Sequence, residues 1–189
     1  MGETNGDNKK KTAREIIENY NGPKVRIMEV CGTHTHEIFR LGIRKLLPEQ
    51  VELISGPGCP VCVTPVSFID EAIYLALEKG VTICTFGDLV RVPGSQMSLA
   101  GAREKGAKIH IVYSPADAEK YAGEHPDKQV TFLSVGFETT TPASCLSVKA
   151  AKENGLDNYS ILTANKTMPQ AYEALKGSAD VFLYPGHVN

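Results

Sequence analysis

The chain has 189 residues, 42% hydrophobic and 22% charged, with 20 lysines and arginines against 22 aspartates and glutamates and a net charge of −2 at pH 7. That length holds one medium domain, or one domain and part of another. The near-neutral charge argues against nucleic-acid binding driven by bulk positive charge, and no apolar run approaches the roughly 20 residues that span a bilayer.

Residues 1–11 (MGETNGDNKKK) are polar and aperiodic, so a disordered arm is expected. They hold no apolar stretch, do not read as a secretory signal, and leave a cytoplasmic protein as the expectation. Ala13, Ile16, Ile17 and Tyr20 recur at helical spacing and predict a helix ended by Asn21-Gly22-Pro23. From there one pattern repeats: a short β-branched run, a loop rich in Gly, Pro or Thr, then a helical stretch. Strands are predicted at 24–30, 51–54, 81–86, 108–113, 130–135, 159–163 and 180–184. The helices between them carry apolar stripes at Phe39/Ile43/Leu46/Leu47, at Ile69/Ala72/Ile73/Ala76/Leu77 and at Met168/Ala171/Tyr172/Leu175. Ser114-Pro115 and Thr141-Pro142 read as an N-cap followed by an N1 proline, and Thr167 with Gln170 as a capping box.

Strands alternating with helices imply βαβ units and a mainly parallel sheet. The polar stretch 124–128 is the best candidate boundary, giving a first α/β lobe over 12–125 and a second over 126–189. The chain stops just after a strand, where a crossover helix is expected. It therefore reads as the front part of a longer protein, its second lobe incomplete.

Ligands of parallel α/β sheets bind beyond the carboxyl ends of the strands, and the reactive side chains of this sequence fall in those loops. The strongest signal is Cys59-Pro60-Val61-Cys62, whose spacing lets both sulfurs face one point, to close a disulfide or clamp a metal. A helix starting near Thr64-Pro65 would place its dipole so as to favour thiolate at Cys62. Cys31 ends the first strand, and if the first two strands pair, three sulfurs can converge. His34 and His36 follow Cys31. In an extended segment they would point the same way, as ligands, acid/base groups or structural residues. Glu138 lies on the same rim after the fifth strand, able to orient a histidine or lysine or to complement a helix dipole. Asp88 and Arg91 are weaker candidates of the same kind. The loop Pro185-Gly186-His187 closes the series. Cys84, in an apolar strand, and Cys145, in a helix, read as buried fillers. An odd cysteine count without an export signal argues against a disulfide framework. No Walker loop, dinucleotide fingerprint or G-x-S-x-G elbow occurs.

The segments CGTHTHEIFRLGI, SGPGCPVCVTP, SVGFETTTP and YPGHV, in this order, resemble the HypD family of hydrogenase maturation factors from about residue 12 onward. The resemblance implies two similar parallel-sheet α/β lobes around a cleft, and a role in building the Fe(CN)2CO unit of [NiFe]-hydrogenases. It implies a HypC-type chaperone and a HypE-type cyanide donor as partners, with no nucleic acid or membrane involved. Cys31 matches the family cysteine that holds iron together with a partner's cysteine, His34 the adjacent histidine, Cys59 and Cys62 the redox pair, and Glu138 the GFETT segment. The family's [4Fe-4S] cluster belongs to the longer protein, because none of the five cysteines here matches its ligands. The residues alone leave three other readings open: a thioredoxin-like thiol–disulfide oxidoreductase, a zinc module of Cys31, Cys59, Cys62 and one histidine, and an interaction scaffold with incidental thiols.

Overall fold

The computed structural model describes residues 11–184. All but the last residue of the polar arm, and the Pro185-Gly186-His187 loop, lie outside the described residues. All seven predicted strands form: β1 (Val25–Glu29), β2 (Val51–Ser55), β3 (Thr82–Thr85), β4 (Ile109–Ile111), β5 (Val130–Ser134), β6 (Tyr159–Thr163) and β7 (Val181–Leu183). Between them run α1 (Ala13–Glu18), α2 (Gly32–Arg40), α3 (Val66–Glu78), α4 (Leu99–Glu104), α5 (Pro115–Glu124), α6 (Thr141–Glu153) and α7 (Met168–Ala174). Every strand pairing is parallel. The strands make two sheets, ordered β2-β1-β7 and β4-β3-β5-β6. No helix among the described residues is long and apolar enough to cross a membrane.

The chain divides into two compact units. One holds residues up to Gly58 and regains the chain at Leu175; the other runs Cys59–Ala174. The boundary expected at 124–128 falls inside the second unit, between α5 and β5, and the strands on either side of it share one sheet: Val130 pairs with Thr82. The polarity there belongs to a turn. Asn158, 8% exposed, holds that turn by donating from Nδ2 to the carbonyls of Ala122, His125 and Lys128 at 2.9, 3.1 and 2.9 Å. Asn158→Ala is expected to lower stability by about 1–3 kcal/mol, because buried carbonyls lose their donor. Urea unfolding of the two proteins measures the difference.

In the first unit β1 is central. Its register sets Ile27 opposite Leu53 on one side and Val181 on the other. The returning β7 is latched at its start. Asp180 accepts from the Arg26 amide at 2.8 Å and pairs with its guanidinium at 3.3 Å, contacts that hold its carboxyl below the ordinary range. The expected long helix through Phe39, Ile43, Leu46 and Leu47 does not form. α2 ends at Arg40, Gly42 turns left-handed at φ 63°, and a short 3-10 turn (Ile43–Leu46) follows, leaving Phe39 84% exposed.

In the second unit the stripe predicted on α3 is the core. Ile69, Ala72, Ile73 and Ala76 pack with Ile83, Leu99 and Leu133. A second cluster on the other face joins Cys84, Val112, Ala118 and Phe132, whose ring meets Phe86 edge-on at 5.5 Å. β3 and β5 are buried along their whole length, as central parallel strands covered on both faces must be. Ser114 caps α5 as predicted, accepting from the Asp117 amide. The N-cap position of α6 is Thr140, one residue before the expected Thr141, and its side chain makes no capping bond.

Candidate functional site

In the first unit the site is built on the end of β1. Cys31 is the N-cap of α2, and its thiol makes no capping bond, so the sulfur is uncommitted. Helix starts at Gly32, which changes the expectation for the two histidines. At 3.6 residues per turn, side chains two apart diverge by about 200°. His34 is half-buried, and its buried Nδ1 has no hydrogen-bond partner; His36 is exposed. The structure therefore separates the pair and leaves His34 on the N3 position, the one that neighbours an N-cap side chain. Gly58, the residue before Cys59, lies against the backbone of Cys31. A Cβ there would fall 2.8 Å from the carbonyl carbon of Val30, so this approach requires glycine.

Beneath that turn lies a residue absent from the expected set. Glu29 is fully buried at the end of β1. Its Oε2 accepts the Thr35 hydroxyl at 2.7 Å and its Oε1 the Ser55 hydroxyl at 2.6 Å. The signal available in the sequence is a carboxylate set between apolar residues, Ile27-Met28-Glu29-Val30, directly before Cys31.

In the second unit the Cys59–Cys62 loop closes as a turn. The Cys62 amide donates to the Cys59 carbonyl at 3.1 Å, and the Thr64 hydroxyl to the Pro60 carbonyl at 2.9 Å. Both thiols are free, Cys59 half-buried and Cys62 exposed. The expected thiolate at Cys62 is not favoured. The hydrogen bond with Cys59, then the charge Cys59 would carry, then burial push the Cys62 thiol above its ordinary value. α3 begins only at Val66, and the neighbouring sulfur outweighs its dipole. Removing that neighbour lifts the two larger causes: in Cys59→Ser the Cys62 thiol falls back toward its ordinary value and more of it is thiolate at pH 8. Its alkylation by iodoacetamide is then expected to run several-fold faster than in the parent, by mass-mapped rates.

Glu138 stands between β5 and α6. Its Oε1 accepts the Met168 amide at the start of α7 at 2.7 Å, while its buried Oε2 has no partner. It lines a cavity of about 340 Å³ with Thr141, Cys145, Asn165, Lys166 and Thr167. Asn165 is fixed there, accepting from Ser134 at 2.9 Å and donating to Thr141 at 2.6 Å. Cys145 is exposed, contrary to the filler role expected for it, because the face of α6 that carries it borders this cavity. Cys84 is buried as expected, and burial pushes its thiol up to about 12. Asp88 accepts the Leu89 amide at 2.9 Å, a local cap. Among the described residues no three His, Cys, Asp or Glu side chains form a cluster able to hold a metal.

The HypD family profile, described as "Hydrogenase formation hypA family", matches residues 7–189. The hydrogenase maturation factor HypD of Cupriavidus necator is 46% identical over 179 residues, covering 89% of this chain and 47% of its own. The factor of that name in Escherichia coli is 47% identical over 169 residues, covering 87% and 45%. A putative hydrogenase expression/formation protein of Methanocaldococcus jannaschii is 43% identical over 169 residues, covering 88% and 47%. The chain spans about half the length of the curated relatives it matches.

Proposed function

The chain belongs to the HypD family, and from that membership we propose that it carries the thiol half of a scaffold on which the Fe(CN)2CO unit of [NiFe]-hydrogenases is assembled. Iron is the cargo. Cys31 supplies one thiolate, a HypC-type chaperone a second, and the His34 imidazole assists, a soft donor set suited to Fe(II). The observation that carries this reading is the uncommitted Cys31 thiol at the N-cap of α2, with the unpartnered Nδ1 of His34 at N3. The absence of a three-donor cluster among the described residues fits a site completed by a partner.

Cyanide arrives as a thiocyanate on the cysteine of a HypE-type donor. Its release consumes two electrons: the donor's S–C bond breaks, the donor sulfur takes a proton and becomes a thiol, and cyanide leaves as an anion. Cys59 and Cys62 supply the electrons by forming their disulfide, giving up two protons, one to the donor sulfur and one to solvent. The tight turn between them, closed by the Cys62 amide on the Cys59 carbonyl at 3.1 Å with both thiols free, supports this pairing. Glu138, whose Oε2 has no partner, is the carboxylate that takes up the second proton on its way to solvent. The [4Fe-4S] cluster of longer family members would return the electrons.

The test is anaerobic co-purification with the HypC-type partner. Cys31→Ala is expected to reduce bound iron to below a tenth of the parent and to remove the infrared bands of iron-bound cyanide and carbon monoxide. Retention of both in that variant overturns the assignment.

A further inference from the structure

We infer that Glu29 is a positioning residue: its buried carboxylate holds the turn bearing Cys31 and His34 in register with the strand end that leads into the Cys59 loop. The inference rests on the reading of that turn as an iron-holding site, but its geometry stands by itself.

A buried carboxylate is costly unless its oxygens are hydrogen-bonded or paired. In the middle of a sheet an apolar residue would serve packing at lower cost. Glu29 instead uses one oxygen on each of two elements. Oε2 takes the hydroxyl of Thr35 in α2, one residue past His34; that hydroxyl also lies 3.3 Å from the Cys31 carbonyl. Oε1 takes the hydroxyl of Ser55, the last residue of β2. The backbone carbonyl of Glu29 accepts the next amide, that of Gly56, at 2.8 Å. Both hydroxyls donate to the carboxyl oxygens, so their directions are set. Arg44 then donates to Ser55 Oγ at 3.2 Å, so the same hydroxyl that Glu29 holds is also tied to a guanidinium. The start of α2 and the lead-in to the GPGCPVC loop are thus tied to a single side chain, two residues before Cys31.

The test compares Thr35→Val, which keeps the branched shape and loses the hydroxyl, with Thr35→Ser, which keeps the hydroxyl. It is made in the protein expressed from its own gene. Iodoacetamide rates at each cysteine are mapped by mass spectrometry, with exposed Cys145 as the internal reference. Thr35→Val is expected to speed Cys31 alkylation at least fivefold with Cys145 unchanged, and Thr35→Ser to stay within twofold of the parent. Iron retained with the HypC-type partner is expected to fall at least fivefold in Thr35→Val and to recover in Thr35→Ser. An unchanged Cys31 rate in Thr35→Val, or a serine variant that behaves like the valine one, overturns the inference. If the parent holds no iron with its partner while the alkylation pattern appears, the iron reading fails and the positioning role stands.

Discussion

Under the proposed redox role, Cys62→Ser is expected to reduce hydrogenase maturation at least a hundredfold in a host that lacks its own family member, while any iron retained through the proposed Cys31 site stays at the parent level. Serine is close to cysteine in size and Cys62 is exposed, so the fold has little reason to respond. What disappears is the ability to form an S–S bond, and with it the two electrons that cleavage of a thiocyanate consumes. Cys59→Ser is expected to fail equally, although it leaves Cys62 more reactive toward iodoacetamide. That contrast separates a redox pair from a lone nucleophile: a nucleophile with more thiolate would gain activity, whereas a dithiol missing one sulfur loses it. Hydrogenase activity in cell extract, with iron measured on the purified complex, reads both. Parent-level maturation in Cys62→Ser removes the redox role.

Above pH 9 the fold is expected to weaken by about 1.4 kcal/mol per pH unit through Cys84 alone. The thiol is fully buried in β3, and burial pushes it up to about 12. In the unfolded chain the same thiol ionises near its ordinary value of 9.0. The folded value is the higher one, so the stability tied to this group is fully present below pH 9. It is lost as pH rises toward 12, up to roughly 4 kcal/mol across the window. Tyr159, also raised chiefly by burial, adds a loss of the same sign at the upper end. Urea midpoints at pH 8, 9, 10 and 11 for the parent and Cys84→Ala isolate the thiol. The alanine variant starts lower, because a buried sulfur is removed, but its stability is expected to fall less steeply. Parallel curves would show that Cys84 does not carry the alkaline loss.

Local patterns made the elements legible. Short β-branched runs between glycine and proline loops located every strand, and the Ile69–Ala72–Ile73–Ala76 stripe located the core helix. The Cys59–Cys62 spacing reads as two sulfurs facing one point, and the segment is a turn closed by the Cys62 amide on the Cys59 carbonyl. Pairing of distant strands was not legible, since nothing in the residues around Val181 states that they join β1 rather than β6. The polar stretch before β5 looked like a linker because a turn and a linker share one composition; only the buried Asn158 tells them apart. The chemistry of the Cys31 turn depended on where the helix begins. With helix from Gly32, His34 and His36 part company, and a reading that assumed extended chain paired them. Glu29 is not legible from sequence because a carboxylate in a strand ordinarily faces solvent, and only the fold brings it two hydroxyl donors, one from α2 and one from β2.

The return of β7 to β1 has a consequence for synthesis. The strand that joins the free side of β1 leaves the ribosome only after all of Cys59–Ala174 has been made. The interposed segment is contiguous and carries its own core, so it is equipped to mature while the earlier strands wait as a two-stranded ribbon with one bare flank. Vectorial translation thus places the pairing of β7 with the Cys31-bearing strand after the segment bearing Cys59 and Cys62 has been delivered.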